Sequence, residues 1–163
     1  MTFKTADLYD DYGDRVRVCD PIFRDFGGHA RFFGSIATVK CFEDNSLVKA
    51  VLGEPGEGRV LVVDAGGSRR CAMLGDLIAA SAVENGWRGV LLFGCVRDAA
   101  EITGMVLGVK ALATNPRKSE KRGEGQRDIL VSFAGVCFRP GDHIYCDEDG
   151  ILVAEDALIH TED

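Results

Sequence analysis

The sequence predicts an α/β fold in three layers: a central parallel sheet with helices on one face and an antiparallel sheet on the other. Three observations carry this. Residues 59–64 (RVLVVD) and 89–93 (GVLLF) are almost continuous apolar runs, each closing on a glycine-containing turn, as strands buried on both faces do. Between them Leu74, Leu77, Ile78, Ser81 and Ala82 recur at helical spacing, and Glu84-Asn85-Gly86 offers a polar end with a glycine suited to the C-cap. The final third then changes character. ILVSF, VCF, HIYC and ILVA are short strand-like pieces split by Ala134-Gly135, Arg139-Pro140-Gly141-Asp142 and Asp147-Glu148-Asp149-Gly150, a spacing that predicts hairpins.

In chain order, Thr5 is placed to cap a short peripheral helix through ADLYDDYGD, with Asp residues in its first turn and Gly13 at its end. Residues 21–28 (PIFRDFGG) break regular structure, with Phe23 and Phe26 expected to pack and Gly27-Gly28 to turn the chain. A β pattern fills 30–42. A helical one follows over 46–52, through Leu47, Val48, Val51 and Leu52, until EPGEG at 54–58 stops it. The central strand–helix–strand unit comes next, then a strand over 106–114. Residues 116–127 (PRKSEKRGEGQR) set five cations against two acids and read as a mobile, solvated loop. Residues 155–163 form an acidic tail expected to fray.

A chain of 163 residues, 46% hydrophobic and 28% charged, is enough for one domain with a real core, so 1–163 is read as a single domain. The net charge of −7 opposes direct binding to nucleic acid. Apolar runs of about half a dozen residues fall far short of the ~20 that span a bilayer. The opening MTFKTADLYDDYGD has neither the basic start nor the apolar core of a secretory leader, so a cytoplasmic location is expected. Six cysteines, none in a CxxC pair, read as small buried hydrophobes, and His29, His143 and His160 share no metal-ligand spacing.

If the two central strands are neighbours, the loops past their carboxyl ends share one crevice. Into it the sequence delivers Gly75-Asp76 and Arg97-Asp98. The planar fork of Arg97 suits a carboxylate. The N–H groups of Gly75, Asp76, Leu77 and Ile78, at a helix start, form an anion site. Asp98 offers a hard oxygen to Mg²⁺ or Mn²⁺ held largely by water. Such a set can hold a small 2-oxo acid and stabilise the enolate left by carbon–carbon cleavage. Each residue also has a duller account. Asp98-Ala99-Ala100-Glu101 fits a capping box, Asp76 suits the dipole of a first helical turn, and Arg97 could simply pair with a neighbouring carboxylate. Asp64-Ala65-Gly66-Gly67 ends at the same crevice without the GxGxxG spacing of a dinucleotide or methyl-donor site. Lys110, in an apolar strand, could be imagined as a Schiff-base amine, which a metal site makes unnecessary.

Asp76, 20 intervening residues, Arg97-Asp98, two more and Glu101 form a D-x20-R-D-x2-E pattern similar to that of the 4-hydroxy-4-methyl-2-oxoglutarate aldolases. Stretches such as FGGHARFFGSIATVKCFEDN, RVLVVDAGGS and FRPGDHIYCDEDGILV extend a resemblance over essentially the whole chain to the related regulator of ribonuclease activity A (RraA-like) family. The resemblance implies the swivelling β/β/α fold and a ring-shaped homotrimer with its site near the subunit interface. It implies a lyase dependent on a divalent metal cation, Mg²⁺ or Mn²⁺, that cleaves 4-hydroxy-4-methyl-2-oxoglutarate to pyruvate, with oxaloacetate decarboxylation as a related activity. Catalysis would fall to Asp76, Arg97 and Asp98. Substrate would sit at Gly75, Asp76, Leu77, Ile78 and Arg97 and metal at Asp98, with Glu101 behind it and Asp76 orienting a water that acts as base. The same resemblance offers a rival: a non-catalytic regulator that binds and inhibits ribonuclease E, an acidic ring docked on a basic, disordered segment.

Overall fold

The computed structural model describes residues 2–159. Along these the chain forms α1 (Thr5–Tyr12), β1 (Val16–Val18), β2 (Arg24–Asp25), β3 (Phe32–Lys40), α2 (Ser46–Leu52) and β4 (Val60–Asp64). It continues through β5 (Ala72–Leu74), α3 (Asp76–Glu84), β6 (Gly89–Val96), α4 (Ala99–Thr103), β7 (Gly108–Thr114) and β8 (Gln126–Arg127). It ends with β9 (Val131–Phe133), β10 (Val136–Phe138), β11 (His143–Asp147) and β12 (Gly150–Ala154). One mixed sheet runs in the order β1-β12-β11-β3-β4-β6-β7-β2, with β5 beside β6 and β8 beside β3, while β9 and β10 make a separate hairpin. None of the described helices is long and apolar enough to cross a membrane.

β3 is the strand on which the sheet turns. Its residues 32–35 pair antiparallel with β11, and residues 36–40 pair parallel with β4. The antiparallel layer is therefore a continuation of the parallel one, folded over it. Alternation along β4 and β6 shows what the fold buries. Leu61, Val63, Val90 and Leu92 meet Val48, Val51 and Leu52 of α2, Ala79 and Ala82 of α3 and Ile102 of α4. Val60, Val62 and Leu91 instead meet Phe133, Phe138, Ile144 and Val153. Burial on both faces is why these strands carry no polar alternation, and each such side chain contributes about 1.5–3 kcal/mol. A third cluster, with Phe3, Leu8, Tyr145, Leu152 and Leu158, holds α1 against the outer face of β11 and β12.

The structure departs from the sequence reading at several places. Lys4, not Thr5, holds the N-cap position of α1. Thr5 is buried and donates from its N–H and Oγ1 to the Asp147 carboxylate at 2.7 and 2.6 Å, so a long-range bond replaces a local cap. Leu74 belongs to β5 and Leu77 is 82% exposed, because α3 rests on the sheet through the small side chains Ala79 and Ala82. The second central strand passes through Gly94 to Val96, with a register irregularity between Leu92 and Cys95. Within 21–28, Arg24 and Asp25 pair with β7. Residues 155–159 are docked rather than frayed: Leu158 is buried and its N–H donates to the Tyr145 hydroxyl at 2.7 Å. His160 and the rest of the tail lie outside the described residues.

Candidate active site

β5 and β6 run parallel with Leu74 beside Val96, so the residues that follow them, Gly75 and Arg97, emerge side by side. The Arg97 N–H donates to the Leu74 carbonyl at 2.9 Å and fixes this. Asp98 then takes a left-handed conformation (φ 56°, ψ 41°), which Asp tolerates better than most residues. Although it sits at the N-cap of α4, its side chain makes no bond to that helix. Oδ2 instead accepts the Asp76 N–H at the start of α3 (3.0 Å) and lies 4.0 Å from Arg97 Nε. The capping-box account of Asp98 and Glu101 therefore fails, and Glu101 is an exposed residue of α4.

That hydrogen bond from the Asp76 N–H, more than any other influence, holds the Asp98 carboxyl below the ordinary carboxylate range, with the Arg97 guanidinium adding to it and burial opposing it. Asp76 Oδ1 in turn accepts the Leu77 N–H at 2.8 Å. Two of the four amides expected to receive an anion are thus engaged by carboxylates of the protein. Gly75 and Ile78, with Asp76, Leu77 and Arg97, line an open cleft of about 130 Å³. This is small beside the ~300–1,000 Å³ of drug-sized pockets and suits an acid of a few carbons. A Cβ on Gly75 would lie 2.9 Å from Asp98 Oδ2 and 3.4 Å from Arg97 Nε, so the glycine is what lets the two side chains close over the helix start.

The cleft is also lined by Asn45, Lys49, Lys118, Ser119 and Lys121, none of them anticipated from the sequence. Three come from the stretch at 116–127, which is pinned rather than mobile. Asp44, 2% exposed, accepts hydrogen bonds from Ser46 N and Oγ and from the N–H groups of Arg122 and Glu124, at 2.6–3.1 Å. Ser119 Oγ accepts the Asn45 N–H, Ala72 donates to the Arg117 carbonyl, and Arg127 grips Glu54 through two 2.8 Å bonds. Burial resists ionisation of Asp44, but the bonds from Ser46, Glu124 and Arg122 outweigh it and bring its pKa down to about 2. The solvated character holds, with 120–126 exposed throughout, but composition suggested mobility because the bonds to Asp44 come from the backbone N–H groups of Arg122 and Glu124, which composition does not register.

The remaining sequence candidates have structural roles. Lys110 is buried, donates to the Asp147 carbonyl at 2.8 Å and pairs with Asp25 at 3.0 Å; it faces a larger hollow of about 300 Å³ with Cys19, Asp20 and Phe23. At the Asp64 turn, the Gly66 N–H donates to Asp64 Oδ1 and the Gly67 N–H to the Phe93 carbonyl, so these amides are spent within the turn. All six cysteines are free and five are buried; burial pushes the Cys19 and Cys41 thiols up to about 12. Among the described residues no three His, Cys, Asp or Glu side chains are grouped to hold a metal by themselves. The Asp76 and Asp98 carboxylates are hard oxygen donors that fit a largely hydrated Mg²⁺ or Mn²⁺, not a structural zinc.

Comparison with known proteins identifies the family of the chain. The model of the RraA-like family, described as Aldolase/RraA, matches residues 3–153. The chain is 58% identical over 161 residues to a protein of Alkalilimnicola ehrlichii named "Putative 4-hydroxy-4-methyl-2-oxoglutarate aldolase", covering 99% of this chain and 100% of that one. It is similar in structure to a Geobacillus kaustophilus protein named S-adenosylmethionine:2-dimethylmenaquinone methyltransferase (TM-score 0.95, 48% identity, 99% and 100% covered). It is likewise similar to the RNA-processing inhibitor RraA of Thermus thermophilus (TM-score 0.94, 42% identity, 99% and 98% covered).

Proposed function

The chain belongs to the RraA-like family, and from that premise we propose that it is a carbon–carbon lyase that cleaves 4-hydroxy-4-methyl-2-oxoglutarate to two molecules of pyruvate, with decarboxylation of oxaloacetate as a related activity. The observation that carries the reading is the convergence of Arg97 and Asp98 on the start of α3. Arg97 binds the carboxylate beside the ketone and orients it. Asp76, the acidic residue at the helix start that lines the cleft, orients a water that takes the proton of the 4-hydroxyl as the bond between carbons 3 and 4 breaks. The electron pair of that bond passes to the enolate of the first pyruvate while the second leaves as the ketone, and the proton taken from the hydroxyl returns to carbon 3 of the enolate to complete the first pyruvate. Asp76 and Asp98 would hold a divalent cation, which supplies positive charge against the enolate when bound. Decarboxylation of oxaloacetate releases the same enolate, so one site serves both.

The test is direct. Purified protein with Mg²⁺ or Mn²⁺ should form pyruvate from either substrate, EDTA should stop it, and Arg97→Ala or Asp98→Ala should lower turnover by about 10²-fold or more. Normal turnover in both variants sinks the assignment. We propose further that the active form is a homotrimer with the cleft near the interface. Methyl transfer, the activity for which the Geobacillus relative is named, is disfavoured by the Asp64 turn, whose amides are spent internally, and by a small cleft walled with cations.

A second reading, binding of ribonuclease E, draws support from the Thermus relative and from the hollow beside Lys110, where Asp20 and Asp149 stand with two acids already paired, Asp25 to Lys110 and Glu148 to Arg31. Acids around apolar walls suit a basic segment. Capture of ribonuclease E that weakens with salt and is unchanged by Asp98→Ala would favour it.

A further inference from the structure

Resting on the lyase reading, we propose that Asn45, Lys118 and Lys121 form a subsite for the half of the substrate remote from Arg97: Asn45 accepts a hydrogen bond from the substrate hydroxyl, and the lysines pair with the second carboxylate. Two independent observations lead there. Asn45 is 9% exposed and its Oδ1 has no hydrogen-bond partner among the described residues, although buried side-chain oxygens ordinarily have one. It occupies the N-cap position of α2, where an asparagine ordinarily accepts a first-turn N–H, yet it makes no such bond, and Asp44 takes the Ser46 N–H in its place. The side chain, in the wall of the cleft, is thereby uncommitted to its own helix. An orphaned acceptor asks for a donor, which a carboxylate cannot supply and a hydroxyl can.

The second observation is charge. Arg97, Lys49, Lys118 and Lys121 all line a cleft of about 130 Å³, more cation than one carboxylate requires. Lys118 and Lys121 are held there because Asp44 and Ser119 fasten their stretch of backbone to the start of α2. A ligand that satisfies all of these groups carries two carboxylates and a hydroxyl.

The hydroxyl contact is tested by steady-state kinetics on two substrates that differ in it. Asn45→Ala should lower kcat/KM for 4-hydroxy-4-methyl-2-oxoglutarate about tenfold more than for oxaloacetate, whose ketone form has both carboxylates and no hydroxyl. An equal fall on both substrates, or none on either, overturns it. The lysines are tested by calorimetric titration with 2-oxoglutarate and with pyruvate. Lys118→Ala and Lys121→Ala should weaken binding of the dicarboxylate about tenfold and leave pyruvate unchanged. Undiminished affinity for 2-oxoglutarate overturns the subsite. If the wild type turns over neither substrate, the lyase reading falls and the hydroxyl contact with it, whereas the titrations still decide whether the lysines read a second carboxylate.

Discussion

At Gly75 the difference between a working and a blocked site comes down to one methyl group. Its Cβ would stand 2.9 Å from Asp98 Oδ2, closer than real Cβ contacts come, and 3.4 Å from Arg97 Cγ and Nε. The backbone there is extended, at φ −126°, so alanine introduces no strain of its own. Gly75→Ala should therefore leave thermal unfolding nearly unchanged while lowering pyruvate formation about 10²-fold, the scale of a displaced positioning group. Loss of stability in parallel with activity, or full activity, would contradict this account. Asp76, Arg97 and Asp98 were legible as a set because a strand–helix–strand unit opens its loops on one crevice and because their spacing is similar to the aldolase pattern. The short strand β5 that sets Gly75 beside Arg97 was not, since Leu74 read as part of the helix. What could not be read was the direction of Asp98. Its residue type and spacing to Glu101 fit a capping box, and only a left-handed backbone turned the carboxylate to the neighbouring helix instead.

Helix starts are the element this fold spends on its site. α2, α3 and α4 each begin at the cleft or beside it, and none of their N-cap side chains bonds its own helix: Asn45 is unpartnered at its oxygen, Gly75 has no side chain, and Asp98 serves α3. Asp44 compensates at α2, and through Arg122 and Glu124 it ties the lysine-bearing stretch to the same place. Its folded-state pKa of about 2 lies below the ordinary 3.8, so the stability it contributes is fully present above pH 4 and is lost as pH falls toward 2. A shift of this size corresponds to on the order of 2 kcal/mol. Asp44→Asn should be less stable than the wild type by that amount in urea at pH 7, and the gap should close between pH 4 and pH 2. A gap that is absent at pH 7, or that persists unchanged near pH 2, would show that the carboxylate is not the anchor. None of this was visible in PRKSEKRGEGQR, since the sequence shows the charged side chains and hides the amides that do the fastening.

For the molecule as a whole, the layers were legible because β4 and β6 bury both faces and so write unbroken apolar runs, whereas the continuity of the two sheets was not, since it depends on β3 changing partners part-way along its length. Leu77 is the residue where the single chain falls short as an account. Read as part of the apolar stripe of α3, it is in fact 82% exposed at the mouth of the cleft, while the helix packs inward through alanines. Phe42, 57% exposed, is a second large apolar side chain left open to water. Burying a leucine is worth about 1.5–3 kcal/mol, and a closed ring repeats that gain at every interface. In the proposed homotrimer, with the cleft near the interface, Leu77 is a natural contact. Leu77→Asp should then shift the mass measured by light scattering at micromolar concentration from trimer toward monomer, with pyruvate formation falling in step because the cleft loses its neighbour. A wild type that is already monomeric sinks the trimer, and a variant that keeps both its mass and its turnover removes Leu77 from the interface.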